Sequence, residues 1–332
     1  MNDTGLPMRV WQHMRTVWPR YTLLPIVLFV GWPLSSVMRG ECRWEFAVSV
    51  LFGAVLPYVG PRSKRLSLGL IPMGVLGILY DLMHYVQNVG VTRERVHLCD
   101  LHAFELRHLG VTSHGVRMTV QDYLQAHATL PLDLFFAVPY GTFIGAYMLL
   151  AVVLYFRDYG AMRRFTMAFL VMSIAGFVTY HLYPAAAPWY YRAHGCVVDP
   201  SAHASEGQNL ARVDAWLGFP YFNGFYGRSR DVFGAMPSLH VAYPVLMVVE
   251  GWRALGTFRR FAIVPWLLRG GVVFYAFWMV GAAVYLDHHW ISDILVGIAY
   301  GLLTFFGIRA FVRWRSAHGE PASDRTTRTA TA

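Results

Sequence analysis

Two short strings in the C-terminal third of the chain carry side chains that can do phosphorus chemistry. Pro-Ser-Leu-His occupies positions 237–240, and His-His-Trp-Ile-Ser-Asp occupies positions 288–293. His289 and Asp293 are four residues apart, so on a helix they share one face and the carboxylate can orient and charge-stabilise the imidazole. A nucleophilic histidine needs this kind of partner. We therefore predict that His289 is a nucleophile and that Asp293 orients it.

The first string has the composition of a tight helix entrance. Ser238 is placed to cap the helix, and the free backbone N–H groups at such a start favour an anion. His240 would then lie in the first turn, beside a phosphate bound there. Taken alone, the string is equally explained by a capped helix with an incidental histidine. The second string, with ionisable residues at the mouth of another apolar segment, favours the catalytic interpretation.

The composition predicts a polytopic, all-α integral membrane protein. Hydrophobic residues make up 56% of the 332 positions, charged residues only 14%, and the mean hydropathy is +0.39. Soluble domains carry about 25% charged residues. The net charge of +9 is spread in arginine clusters between apolar segments, with no basic groove or base-stacking motif. Membrane orientation explains these arginines better than a nucleic-acid partner does.

Apolar runs of the length needed to cross a bilayer, about 20 residues, predict about eight transmembrane helices. They are roughly Tyr21–Met38, Trp44–Val59, Leu66–Gln87, Leu134–Phe156, Phe165–Tyr183, Ser238–Trp252, Phe261–Tyr285 and Trp290–Phe311. Two long outer loops remain, at about 88–133 and 184–237. The first loop contains a run of histidines without metal-ligand spacing, and we expect a surface helix in it.

The distribution of basic residues orients these spans. With the N-terminus inside, the inner segments hold more than half of the 28 Lys and Arg, as short cytoplasmic loops should. The sixth and eighth spans then begin on the outer face. His240 and His289 therefore meet at the same membrane boundary. The abundance of Arg beside a single Lys, and the absence of organelle-sorting signals, favour a bacterial cytoplasmic membrane.

The three cysteines, Cys42, Cys99 and Cys196, all fall in predicted outer loops and lack metal-binding or redox spacing. One disulfide, such as Cys99 to Cys196, and three unpaired thiols both fit this pattern.

The two strings resemble the second and third signature motifs of the type 2 phosphatidic acid phosphatase (PAP2) superfamily, membrane enzymes with a six-helix core. A narrower similarity, over roughly 66–311, is to fungal inositol phosphorylceramide synthase. It rests on the strings at 183–190, 209–214, 232–240 and 285–289, with Asp133 and the Pro-Tyr-Gly at 139–141 further upstream. The resemblance implies three parts: an N-terminus with two accessory spans (1–65), a catalytic core (66–316) and a disordered cytoplasmic tail (317–332).

The resemblance also assigns roles. His289 would attack phosphorus, Asp293 would orient it, and His240 would protonate the departing alkoxide and later take the proton of the incoming hydroxyl. No metal or cofactor is implied, because a phosphohistidine replaces metal-activated water. The expected substrate-binding residues are Arg212, Ser238, Asp214, Tyr140, Trp189 and His288. Arg212 is also explicable as a solvated loop residue.

One departure from the phosphatases points to the substrate. Where they carry a Ser-Arg pair shortly before the nucleophilic histidine, this chain has Ala282 and Ala283. The guanidinium is a strong partner for a doubly charged phosphomonoester. Its absence favours a phosphodiester, which carries a single charge.

The expected activity is transfer of a phospho-headgroup between membrane lipids. The resemblance implies phosphatidylinositol as donor and a ceramide as acceptor. The alternative is a phosphatase acting on a lipid phosphate or a polyprenyl diphosphate, in which water is the acceptor. A transporter or channel that relays protons through His and Asp is a third interpretation. It is disfavoured because the ionisable residues cluster at one membrane face.

Overall fold

The computed structural model describes residues 6–38, 50–86, 89–202, 204–226, 232–257 and 262–318. Most of these residues are helical, and the described strands form one two-stranded hairpin, which confirms the predicted fold class. They group into two compact units. One comprises Met1–Leu82 with Ala151–Leu170, and the other comprises Met83–Leu150 with Val171–Ala332.

The first unit is built from the N-terminal helices. These are α1 (Leu6–Val17), α2 (Leu24–Met38), a π-helical turn (Leu51–Val55), α3 (Leu56–Val59) and most of α4 (Pro61–Val86). Side-chain donors link these helices to one another. The Trp18 indole donates to the Pro57 carbonyl at 3.1 Å, and the Lys64 ammonium donates to the Val17 carbonyl at 2.7 Å. The N-terminal part of the predicted second span, residues 44–49, lies outside the described residues.

The second unit contains the elements that carry both sequence strings. They are α5 (Cys99–His108), β1 (Val111–Ser113), β2 (Val116–Met118), α6 (Val120–Ala126), α7 (Leu130–Arg157), α8 (Tyr159–Leu182), α9 (Pro188–His194), α10 (Gly207–Leu217), α11 (Tyr221–Tyr226), α12 (Leu239–Leu255), α13 (Val264–Tyr285) and α14 (Ile291–His318). Helices α7 and α8 run from one unit into the other.

Five described helices, α4, α7, α8, α13 and α14, are long and apolar enough to cross a membrane. The chain is therefore an integral, multi-pass membrane protein. Helices α2 and α12, at the predicted first and sixth spans, have 15 and 17 residues. Helix α14 continues to His318, past the predicted span end at Phe311 and into the segment expected to be a disordered tail. The rest of that tail lies outside the described residues.

Helices α12 and α14, which carry the two strings, approach each other closely because glycines line the contact. A Cβ at Gly297 would lie 2.3 Å from the Ser238 carbonyl oxygen, and one at Gly301 would lie 3.0 Å from the Ala242 carbonyl oxygen. Small residues four apart let helix backbones meet in this way. The close packing brings the first turns of α12 and α14 side by side.

The two long loops that were predicted to face outward are folded and joined by backbone hydrogen bonds. The predicted surface helix of the first loop is present as α5, and a second helix, α6, follows the β1–β2 hairpin. Ala185 lies between the two other segments: it forms bridges to His97 of the first loop and to Gly234, which precedes α12. The Ala235 amide donates to the Ala185 carbonyl at 3.0 Å. This short three-segment arrangement fixes the chain just before the first string.

A disulfide between Cys99 and Cys196 links the same two loops across 97 residues of sequence, with the Cα atoms 5.5 Å apart. Of the two alternatives for these cysteines, the structure has the disulfide. Cys42 lies outside the described residues.

We expect Cys196→Ser to lower the apparent Tm of the detergent-solubilised protein by about 5 °C or more, because a native cross-link over a long loop stabilises by about 2–4 kcal/mol. The matched control is the Cys99→Ser/Cys196→Ser double variant, which should be no less stable than the single one. Rapid alkylation of both thiols in unreduced, denatured protein would contradict the cross-link.

Candidate active site

The two predicted histidines are in direct contact. His240 lies in the first turn of α12 and His289 in the loop before α14, with Nδ1 of His240 3.3 Å from Nε2 of His289. Nδ1 of His289 is 3.0 Å from the Ala235 carbonyl oxygen, which can only accept a hydrogen bond. This contact assigns the proton of the neutral imidazole to Nδ1. Nε2 of His289 therefore faces His240 with its lone pair.

Asp293 lies behind His289 and is fully buried. Its Oδ2 is 3.6 Å from Nδ1 of His289 and accepts the Trp290 amide at 2.8 Å. At this separation the carboxylate stabilises positive charge on the imidazole, while the hydrogen bond that orients the ring goes to the Ala235 carbonyl. Charge stabilisation and ring orientation were both predicted for Asp293. In the structure Asp293 is placed for the first, and the Ala235 carbonyl provides the second.

Backbone hydrogen bonds hold the two strings in fixed positions relative to each other. The Ser238 amide donates to the Asp293 carbonyl at 3.0 Å, and the His289 amide donates to the Ala283 carbonyl at 3.1 Å. The Gln121 side-chain amide, from α6, donates to the His289 carbonyl at 3.2 Å. Three separate segments therefore fix the backbone on either side of the His289 ring.

Two buried hydroxyl groups lie on residues next to His240: Ser238 precedes it by two positions, and Tyr140 packs against its ring. The Ser238 side chain does not cap α12, contrary to expectation, and its Oγ is buried without a hydrogen-bond partner among the described residues. The Tyr140 ring stacks on His240 with ring centroids 4.6 Å apart, and its hydroxyl is likewise buried without a described partner. Burying an unpaired hydroxyl costs about 1–3 kcal/mol. Both groups are suited to donate to a phosphate oxygen.

Arg212 forms a bidentate ion pair with Asp133. Its Nε and Nη2 lie 2.7 and 3.0 Å from the two carboxylate oxygens, and Asp133 also accepts from the Asn209 amide and the Tyr285 hydroxyl, each at 2.9 Å. Asp133 is fully buried, whereas the Arg212 side chain is 37% exposed. The hydrogen bond to Asp133 raises the pKa of Arg212 above its ordinary value. The structure thus joins this guanidinium to a carboxylate and not to the histidines.

Asp214 and Trp189 have local structural contacts. Asp214 accepts the amides of Phe222 and Asn223 at 2.9 and 2.8 Å, so it caps the start of α11. The Trp189 amide donates to the Asp287 carbonyl at 2.9 Å, and its ring packs within the loop core. Neither contact involves the histidine pair.

Arg192 ties the loop that carries His289 to the outer helices. It donates to both carboxylate oxygens of Asp287, at 2.8 and 3.2 Å, and lies 3.1 Å from Asp122 of α6. Asp287 has a left-handed backbone, with φ of 66°. Burial raises the pKa of Asp287 above its ordinary value, and the adjacent Arg192 guanidinium acts in the opposite direction. The ion pair therefore holds a strained loop residue two positions before His289.

His288 is a neutral histidine wedged beside the pair. Its Nε2 donates to the Glu206 carbonyl at 2.9 Å, and its ring meets Tyr140 edge-on with centroids 5.1 Å apart. Burial lowers the pKa of His288 to about 4. The side chain is therefore uncharged near neutral pH and does not supply a cation for phosphate.

A family model described as the PAP2 superfamily matches residues 107–306. The chain belongs to the PAP2 superfamily. This match contains α6 to α13, most of α14 and both histidine strings. The described PAP2 residues contain no group of three or more His, Cys, Asp or Glu that could hold a metal ion.

Curated relatives identify the branch of the PAP2 superfamily. The phosphoinositol dihydroceramide synthase of Bacteroides thetaiotaomicron is 30% identical over 87% of this chain and 95% of its own length. The inositol phosphorylceramide synthase of Candida albicans is 34% identical over 52% of this chain and 35% of its own length. The catalytic subunit of that enzyme from Saccharomyces cerevisiae is 28% identical, over 56% and 44%. No solved structure matches significantly.

These relatives confirm the predicted enzyme type. The chain is a membrane phosphotransferase of the inositol phosphorylceramide synthase type. The full-length bacterial match and the shorter fungal matches agree on this assignment.

Sequence reasoning did not identify three contributors to this PAP2 site. Tyr226 of α11 lies 3.3 Å from Nε2 of His240, and Gln121 supports the His289 backbone. Glu105 of α5, which is also buried, accepts the Ser292 amide at 2.8 Å. Each is a single polar residue in a loop helix, without a spacing pattern that links it to the strings. A contact between distant segments was needed to find them.

We expect His288 to destabilise the fold at acidic pH. Its pKa is about 4 in the folded chain and 6.5 ordinarily, so the unfolded chain binds the proton first as the pH falls. Its contribution to stability is complete above about pH 6.5 and is lost toward pH 4, up to about 3 kcal/mol. Thermal unfolding across this range should show a smaller loss of Tm in His288→Gln than in the parent. An identical pH dependence would contradict the assignment.

A double-mutant cycle tests the Asp133–Arg212 pair. Asp133→Asn and Arg212→Gln should each destabilise the protein by about 1–2 kcal/mol, less than for a fully buried pair because solvent screens the exposed guanidinium. The double variant should recover at least about 1 kcal/mol relative to the sum of the single changes. Chemical denaturation in detergent measures the cycle. Additive effects would show that the two groups are not coupled.

Proposed function

We propose that this enzyme transfers phosphoinositol from phosphatidylinositol to the hydroxyl of a ceramide, through a phosphohistidine on His289. Diacylglycerol is the by-product. The observation that carries the chemistry is the 3.3 Å contact between the unprotonated nitrogen of His289 and Nδ1 of His240. The substrate assignment is supported by the bacterial relative, a phosphoinositol dihydroceramide synthase that matches over 87% of this chain.

The first half-reaction breaks the bond between phosphorus and the diacylglycerol oxygen. Nε2 of His289 attacks phosphorus with its lone pair, and the departing oxygen takes a proton from His240. Positive charge on the phosphorylated imidazole is stabilised by the carboxylate of Asp293, 3.6 Å from Nδ1. The Ser238 and Tyr140 hydroxyls, which have no described partner, donate to the phosphate oxygens as charge develops on them.

The second half-reaction reverses the roles. The ceramide hydroxyl gives its proton to His240 while its oxygen attacks phosphorus and displaces His289. His240 regains the proton that it gave away in the first half, so the cycle closes without a net proton change. Typical general acid-base catalysis contributes about 10²–10⁴ in rate.

A phosphodiester donor suits the charges around the histidines. Ala282 and Ala283, in place of the phosphatases' Ser-Arg, are fully buried against the core. The charge of Arg212 is already balanced by Asp133, and that of Arg192 by Asp287. Within the described residues, the site is suited to one negative charge rather than two.

We place the reaction on the outer face of a bacterial cytoplasmic membrane, where the arginine distribution puts the starts of the sixth and eighth spans. The catalytic core would extend over 66–316, with residues 1–65 as an accessory part. The family match at 107–306 falls inside this core.

The test uses purified protein in vesicles that contain phosphatidylinositol labelled in the inositol ring. Added ceramide should give a labelled phosphoinositol lipid and an equal amount of diacylglycerol. His289→Asn should lower this rate by at least about 10³-fold, as loss of a covalent nucleophile does. Alkaline quenching should trap the label on the parent protein and not on this variant.

The matched control is His108→Ala, which removes an exposed histidine of α5 and should keep full activity. Release of inositol phosphate that is independent of ceramide would favour the phosphatase alternative, in which water is the acceptor. Full activity of His289→Asn would exclude the proposed mechanism.

A further inference from the structure

Tyr226 is the polar group next to the outward nitrogen of His240. Its hydroxyl donates to the backbone carbonyl of Tyr140 at 3.1 Å and lies 3.3 Å from Nε2 of His240. Tyr226 is 7% exposed, and its ring is packed against Phe222 and Phe225. Helix α11 therefore holds the hydroxyl in a fixed position between a helix carbonyl and the imidazole.

These two contacts determine where His240 carries its proton. A hydroxyl has one proton, and here it goes to the Tyr140 carbonyl, which can only accept. The hydroxyl oxygen then accepts from Nε2–H of His240. In the free enzyme Nε2 of His289 offers a lone pair, so Nδ1 of His240, 3.3 Å away, is the donor and His240 carries protons on both nitrogens. When Nδ1 has given its proton away, the neutral ring keeps Nε2–H and has its lone pair on Nδ1.

We propose that Tyr226 is a positioning residue for the transfer reaction: it holds a proton on Nε2 of His240, so that Nδ1 alone gains and loses the catalytic proton. The inference rests on the phosphohistidine mechanism proposed above. In the protonated state, Nε2–H remains on Tyr226 and Nδ1–H is given to the diacylglycerol oxygen. In the neutral state, Nδ1 accepts the proton of the incoming hydroxyl. Without the hydroxyl of Tyr226, the tautomer that blocks Nδ1 becomes accessible.

The same helix supplies a matched control. Tyr221 opens α11, and its hydroxyl donates to the Gly141 carbonyl at 2.8 Å, one residue along α7 from the carbonyl that Tyr226 uses. Both tyrosines therefore fasten α11 to α7 through a backbone carbonyl. Tyr226 alone of the two also contacts His240. Tyr221→Phe removes a comparable structural bond and should leave turnover within about twofold of the parent.

The experiment compares two donors in single-turnover reactions of the full-length protein in vesicles. One donor is phosphatidylinositol, whose alkoxide leaving group needs a proton. The other is a 4-nitrophenyl phosphodiester of inositol, whose nitrophenolate leaves without one. Tyr226→Phe should slow diacylglycerol release by roughly 10- to 100-fold at unchanged KM, because general acid catalysis is impaired. Its first-turnover release of nitrophenolate should stay within about threefold of the parent.

Each outcome separates the positioning role from the proposed function. An equal loss with both donors, or a rise in KM for both, would mean that Tyr226 serves the fold and would overturn the inference. Full activity of Tyr226→Phe with phosphatidylinositol would overturn it as well. The underlying mechanism is checked independently by His289→Asn, which should abolish the first turnover with both donors. Should His289→Asn retain that turnover, the proposed function fails, whatever Tyr226→Phe does.

Discussion

The hydrogen bond from the Ser238 amide to the Asp293 carbonyl is the contact on which the site depends. It joins the entrance of α12 to the first turn of α14, and it forms only because Gly297 lets the two backbones approach. His240 follows Ser238 by two residues, and His289 precedes Asp293 by four. A side chain at Gly297 would push the Ser238 carbonyl away and separate the two rings.

Burial determines how the polar groups near this junction are used. The carbonyl of Ala235 fixes the tautomer of His289, and the carbonyl of Glu206 fixes that of His288. Buried charges would be costly without partners, and Asp133 and Asp287 each receive a bidentate guanidinium. The two long loops thus form part of the scaffold around the histidine pair. They supply the carbonyls and ion pairs that the helices cannot provide.

Much of this arrangement could be predicted from local sequence, and the rest depended on contacts between distant segments. The pairing of His289 with Asp293 was predicted from their spacing of four, which on a helix would place them on one face. In the structure His289 lies in the loop before α14, and this loop brings its Nδ1 to 3.6 Å from Asp293. The expected cap by Ser238 was wrong, because its Oγ accepts no backbone amide of α12 and has no described hydrogen-bond partner. No local rule could pair Arg212 with Asp133, or Tyr226 with His240, since these partners are brought together only by the packing of α10 and α11 on α7 and α12.

The charge arrangement connects the fold with the choice of substrate. An exposed, unpaired arginine could neutralise a phosphomonoester. Arg212 and Arg192 instead form ion pairs with the buried carboxylates of Asp133 and Asp287. Beside the histidines, Ser238 and Tyr140 offer neutral hydroxyl donors without described partners, while the buried Oδ1 of Asp293 is an acceptor without one. Neutral donors stabilise charge that develops during the reaction without binding a dianion tightly in the ground state. This arrangement supports the proposal that the donor is a singly charged diester, in which the headgroup ester stays on phosphorus while the lipid ester is exchanged.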